Sequence, residues 1–335
     1  MNVTDRTKQL TGGEKESGST DFLQKTWVVC ALALVCTFLW GSASPCIKLG
    51  YALFQIPSSE TWTQVLFAGT RFVLAGVLTI LIGSVLNRKM LVPTKSSIPS
   101  IAKLGLFQTI LQYIFFYIGL AHNSGVKASI INGSNTFFVI LLAGLVFHQE
   151  KLTGPKILGC IIGFAGVVLV NLGGAGLDMS FHWNGEFFIL ISTVSAACSS
   201  AFIKKFSTKA NPVLLSGWQF MMGGTVLIIM GKLMGGKFQF EGIAPMFLLL
   251  YMACISAVAY TLWSLLLKYN PPSRIAVFGF MNPVFGVMLS ALLLKEKGQA
   301  FSLAGLTSLV LVCIGIYIVN RENPLKEAST DKISV

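Results

Sequence analysis

Charge is what this sequence has least of. Only 11% of its 335 residues are Asp, Glu, Lys or Arg, where soluble domains carry about 25%. With 54% hydrophobic residues, no soluble core could bury the remainder. Acids are the scarcest, 13 in all, and none stands in the middle of an apolar run. Glu186 falls at the start of one; Glu150 and Glu296 fall at turns. Proton coupling in a membrane generally uses a buried acid, and none is offered here. The three histidines, His122, His148 and His182, lie at loops or run ends, and the seven cysteines form no Cys-x-x-Cys. Neither pattern offers a metal site or a disulfide framework, and no cofactor is expected. Gly-x-Gly-Asp, His-Glu-x-x-His and Gly-x-Ser-x-Gly are missing too. An intramembrane enzyme would have none of its usual machinery.

What is present is a series of long apolar runs. Windows of about 20 residues predict an all-α integral membrane protein of ten transmembrane helices. They fall near 27–49, 63–86, 99–121, 126–147, 153–171, 184–205, 211–232, 245–267, 273–294 and 299–319. Turn signals divide them, "YNPPSR" most clearly, because two prolines remove two donors and force the chain out of helix. Residues 1–26 and 321–335 are polar tails with no apolar period, expected to be disordered. The first run follows 26 polar residues and is long enough to span, so it does not read as a cleavable signal.

The net charge of +12 does not argue for nucleic acid, because Lys and Arg cluster at helix ends, as in "NRK" (87–89) and "KK" (204–205). With a cytoplasmic N-terminus, 18 cations fall inside and 6 outside, leaving Arg71 within the second helix. That excess puts both termini in the cytoplasm, in a multi-pass protein of the cytoplasmic membrane. The expected partners are the lipid bilayer and a small-molecule substrate. The Gly159-x-x-x-Gly163 face reads as packing within the bundle in preference to a dimer contact, and the oligomeric state stays open.

The two halves, 27–172 and 183–320, resemble each other. A shift of 147 residues sets Tyr113 on Tyr260, Asn123 on Asn270, Lys127 on Arg274 and Asn135 on Asn282. A shift of 148 sets "RF" (71–72) on "QF" (219–220), and one of 146 sets "HQEK" on "LKEK". Five helices per copy is an odd number, so the second copy enters the membrane from the opposite side. Inverted repeats of this kind suit alternating access.

Polar residues concentrate on the third, fourth, eighth and ninth helices. The third carries Gln108, Gln112, Tyr113 and Tyr117; the fourth Asn132, Ser134, Asn135 and Thr136; the eighth Ser256, Tyr260, Thr261 and Trp263; the ninth Asn282. Amides in hydrocarbon must find partners or water. Bonds between helices would satisfy them, but their symmetric clustering favours a central cavity. The candidate substrate-binding residues are Asn135, Asn282, Asn132, Gln112, Tyr113, Tyr117, Tyr260, Trp263 and Arg71. For Arg71 three roles stand open: holding an anionic substrate group, tying backbone carbonyls together, or snorkelling outward. Lys48 and Lys204 read as snorkelling terminal cations.

On these residues the chain resembles the drug/metabolite transporter superfamily, in its ten-helix branch with two EamA domains. "WGSASPCIK" (40–48) resembles the family's opening of helix 1, and "RF" (71–72) its helix 2 motif. "NPVFGVMLSALLLKEK" (282–297) places a proline thirteen residues before a glutamate, as the family does. "FFVILLAGLVFHQEK" (137–151) keeps that spacing with Phe137 in place of the proline. The resemblance implies a small-metabolite carrier, often an exporter, with a cavity between helices 3, 4, 8 and 9. The alternative is a structural or lipid-handling membrane protein.

Overall fold

The structure, a computed structural model, describes residues 21–57, 59–122, 131–172, 183–237, 242–293 and 303–321. All regular structure among them is helical. We label the segments α1 (Thr26–Leu53), α2 (Thr61–Leu86), α3 (98–121), α4 (131–146), α5 (Gly154–Leu172), α6 (183–206), α7 (Pro212–Leu233), α8 (Ala244–Tyr269), α9 (272–293) and α10 (Leu303–Arg321). Helix is the only open-ended element that satisfies its own backbone polar groups in hydrocarbon.

Among the described residues, six helices are long and apolar enough to cross a membrane: α1, α2, α7, α8, and the stretches Ile98–Gly119 of α3 and Gly185–Phe206 of α6. Shorter apolar helices run over Ile131–Val146, Gly154–Leu169 and Leu306–Arg321. The expected first turn of helix 4, the loop holding His182, and Glu296 lie outside the described residues, as does the Lys48 side chain. Large apolar side chains such as Leu81, Val85, Leu145, Ile161, Val310 and Tyr317 are exposed, the surface a bilayer would cover.

Local chemistry sets the helix ends. Asn211 caps α7, its Oδ1 accepting from the Val213 amide at 2.8 Å, with Pro212 in the first turn. α8 stops at Asn270, extended ahead of Pro271 and Pro272.

Several helices are irregular within. α3 has a π turn at Leu106–Leu111. α9 starts as one turn, Pro272–Ala276, and passes through a 3-10 turn, Val277–Phe280. α4 breaks at Ser134, whose hydroxyl donates back to the Ile131 carbonyl, so it is interrupted without the proline that Phe137 replaces.

Glycines let the helices approach closely. A Cβ on Gly69 would lie 2.8 Å from the Gly224 carbonyl oxygen, and one on Gly76 2.7 Å from that of Gly217. Rising numbers on α2 meet falling numbers on α7, so the two run antiparallel. α5 and α10 do the same through Gly159 against Gly315 and Gly166 against Ser308. α1 packs on α8 and α9: the Cys36 thiol reaches the Ala259 carbonyl, and Gly41 abuts Phe285. α6 packs on α3 and α4, where Ser192 and Ser195 donate to the Gln112 and Phe107 carbonyls.

Candidate functional site

An aromatic cluster occupies the meeting point of α1, α2, α3, α7 and α8. Phe72 of α2 stacks on Phe220 of α7, centroids 5.2 Å apart and planes 14° from parallel. Tyr260 of α8 meets Phe220 edge-on at 5.0 Å, and its hydroxyl bonds that of Tyr113 of α3 at 3.1 Å. Trp40 of α1 closes on Tyr260 at 5.1 Å and on Trp263 at 4.9 Å. Tyr117 lies beyond Tyr113 at 6.3 Å and is 2% exposed. The Tyr51 hydroxyl is buried without a hydrogen bond.

Arg71 sits in this cluster, 4% exposed. Its guanidinium carbon lies 4.5 Å from the Phe72 ring centre and 5.8 Å from that of Tyr113, a cation–π arrangement. It donates no hydrogen bond to any described residue, and its Nε is fully buried without a partner. It therefore neither ties carbonyls together nor snorkels, two of the three roles left open by the sequence.

The structure thus brings together Arg71, Tyr113, Tyr117, Tyr260 and Trp263, with the Gln112 amide beside the Tyr260 hydroxyl. Asn135 belongs to a second group, where α4 meets the first turns of α9. There Thr136 donates to the Ala276 carbonyl at 3.0 Å, and Phe137 lies 6.2 Å from Phe280. The Asn135 Oδ1 is buried without a hydrogen bond, while Asn282 is half-buried. Asn132 stands apart: it is exposed, its Oδ1 accepting from Thr193 of α6 at 3.1 Å.

Sequence reasoning passed over Trp40, Tyr51, Phe72, Phe220 and Gln219 as site residues. Gln219 is fully buried, its Oε1 accepting from Thr109 at 2.7 Å and its Nε2 left without an acceptor. The signal for Phe72, Phe220 and Gln219 was the pairing of "RF" with "QF".

A second polar network closes one end of the bundle. Glu150, between α4 and α5, accepts from the Ser273 amide at 2.9 Å, from the Ser273 hydroxyl, and from Lys156 Nζ at 3.3 Å. Lys204 donates to the Lys268 and Asn270 carbonyls at 3.1 and 2.8 Å. It pins α6 to the end of α8 instead of snorkelling, because those end-of-helix carbonyls lack partners of their own. Near the opposite ends of α2 and α7, a cleft of about 580 Å³ is lined by Gln55, Glu60, Trp62 and Lys237 among others. No group of three or more His, Cys, Asp or Glu among the described residues could hold a metal ion.

Comparison with known proteins adds a family. The EamA-like transporter family model matches twice, over residues 27–172 and 183–321. A protein of Archaeoglobus fulgidus described as an uncharacterized transporter is 28% identical over 306 residues, 89% of this chain and 99% of its own. A probable amino-acid metabolite efflux pump of Escherichia coli is 27% identical over 303 residues, 86% of this chain and 93% of its own. A solved crystal structure shares the fold with a TM-score of 0.70 at 14% identity, over 87% of this chain and 95% of that one.

Proposed function

This chain belongs to the EamA-like transporter family, and from that membership we propose a secondary transporter of the cytoplasmic membrane with both termini inside. It moves a small polar metabolite, an amino acid or related compound, outward by alternating access. Ten transmembrane helices in two inverted five-helix repeats, 27–172 and 183–320, enclose a central cavity lined by α3, α4, α8 and α9. Asn135, Asn282, Gln112, Tyr113, Tyr117, Tyr260, Trp263 and Arg71 line the path; Asn132 contributes at its edge.

One observation carries the reading: equivalent residues of the two copies touch each other. Tyr113 bonds Tyr260, 147 positions on, and Phe72 stacks on Phe220, 148 positions on. A residue meets its own counterpart only beside a two-fold axis. The glycine contacts obey the same operator. Gly69 and Gly76 correspond to Gly217 and Gly224, and each of the first pair meets the counterpart of the other. The contact is thus isologous. An axis running through the aromatic cluster supports two copies that exchange conformations around a shared site.

The test is counterflow in liposomes, using a labelled mixture of amino acids, nucleobases and amines, with and without a pH gradient. Asn135→Leu and Asn282→Leu should each abolish accumulation while the protein stays folded. Unchanged accumulation in both would sink the cavity, and no flux by wild type would favour a structural or lipid-handling protein. An effect of the gradient on wild-type flux would reveal proton coupling.

A further inference from the structure

We propose that Arg71 is the receptor for a single anionic group, a carboxylate, on the transported solute, and that the carrier occludes readily only when that group is bound. The proposal rests on the transporter reading above and specifies its substrate class.

Arg71 is 4% exposed, yet no described carboxylate pairs with it and no described oxygen accepts from it. The rings of Phe72 and Tyr113 attract a cation but offer no lone pair to its five donors. A buried charge without a partner is strongly unfavourable. No acid stands mid-span in the sequence to neutralise it.

Its surroundings share the bias. Gln219, the equivalent of Arg71 in the second copy, has its Nε2 buried without an acceptor, and so has the Trp40 Nε1. The Tyr113 ring, 5.8 Å from the guanidinium carbon, carries a hydroxyl bonded to that of Tyr260, and the Tyr51 hydroxyl is buried without a partner; hydroxyls can donate to an anion. Donors in surplus around one net positive charge call for a negatively charged acceptor. A carboxylate matches the guanidinium fork, with two parallel N–H···O bonds.

The stoichiometry has a kinetic consequence. Closing over a bare guanidinium removes its water and returns nothing, whereas closing over a guanidinium–carboxylate pair buries a neutral unit. The empty carrier therefore reorients slowly and the loaded carrier quickly. Exchange outruns net flux, and monoanions are preferred to dianions, which would leave a residual charge inside.

Two measurements on the full chain test this. The first needs no substrate: thermal unfolding of detergent-purified wild type against Arg71→Gln, which installs the residue type of the equivalent position. Removal of the unpaired charge should raise the melting temperature by a few degrees; a fall would assign Arg71 a structural role and overturn the proposal. The second uses liposomes preloaded with unlabelled amino acids, with counterflow of a labelled amino-acid mixture as the readout. N-acetyl amino acids, which keep the carboxylate, should compete, and amino-acid amides should not. Exchange should exceed net efflux at least tenfold, and Arg71→Gln should lose at least tenfold in exchange. Equal competition by amides, or full exchange by Arg71→Gln, would overturn the proposal. If wild type moves nothing, the transporter reading fails on its own, and the melting comparison still decides the state of Arg71.

Discussion

Glu150 shows how much a single acid can hold. Its side chain is 3% exposed, and three donors converge on it, one of them the Lys156 ammonium. Glu150→Ala leaves that ammonium, in a side chain 7% exposed, with the Lys151 carbonyl at 2.8 Å and no countercharge, and frees the first turn of α9. Breaking a buried pair from one side costs about 3–5 kcal/mol, so we expect a loss of at least about 2 kcal/mol at this membrane-end position, measured by thermal or denaturant unfolding in detergent. Glu150→Gln, which keeps an acceptor for Ser273, should lose less. The Tyr113–Tyr260 bond is milder. A double-mutant cycle with Tyr113→Phe and Tyr260→Phe should return a coupling of about 1 kcal/mol; none would mean the hydroxyls bond elsewhere. The sequence showed the Glu150 turn but not its partner, because Ser273 lies 123 residues away and spacing says nothing about such pairs. Arg71 was legible as the one mid-span cation, and its isolation was not, since that depends on what the neighbouring helices fail to supply.

Helices were the most legible level. The apolar windows fell within two residues of the bounds of α2, α7 and α8, because hydrocarbon length and proline punctuation act locally. Irregularities inside helices were not legible. The Asn132-Gly133 pair in "NGSNTFF" is a turn signal, but inside an apolar run it does not fix the break at Ser134, where a hydroxyl returns to the Ile131 carbonyl. Asn132 and Asn135, three residues apart across that break, have different surroundings. Glycine packing gives an element-level prediction with an internal control. A Cβ on Gly76 would fall 2.6–2.8 Å from Met221 and the Gly217 carbonyl, whereas one on Gly286 meets only the Gly41 carbonyl at 3.8 Å. Gly76→Ala should therefore force α2 from α7 and destabilise the protein by about 1–3 kcal/mol, and Gly286→Ala should be nearly neutral. Equal melting temperatures for the two variants would mean the α2–α7 contact is looser than its geometry indicates.

At the scale of the molecule, α1 packs against α8 and α9 and α6 against α3 and α4, the exchange that the proposed two-fold relation of the halves calls for. Each copy therefore lends its first helix to the other, and neither can tilt alone. Motion must instead come where contacts are polar and separable, and the Glu150 network is such a place. It joins the α4–α5 turn to the start of α9 by hydrogen bonds and one ion pair, while the glycine-packed pairs α2–α7 and α5–α10 have no room to slide. In the orientation proposed above this network lies on the cytoplasmic side, and an inward opening by the proposed alternating access would part Glu150 from Ser273. In a background lacking the seven native cysteines, Glu150→Cys with Ser273→Cys should crosslink under oxidant and stop counterflow, and reductant should restore it. The reduced double variant supplies the baseline, since loss of the Glu150 contacts alone lowers stability. If the crosslinked carrier exchanges solute as fast as the reduced one, the gate lies elsewhere, and the network is a fixed brace between the two copies.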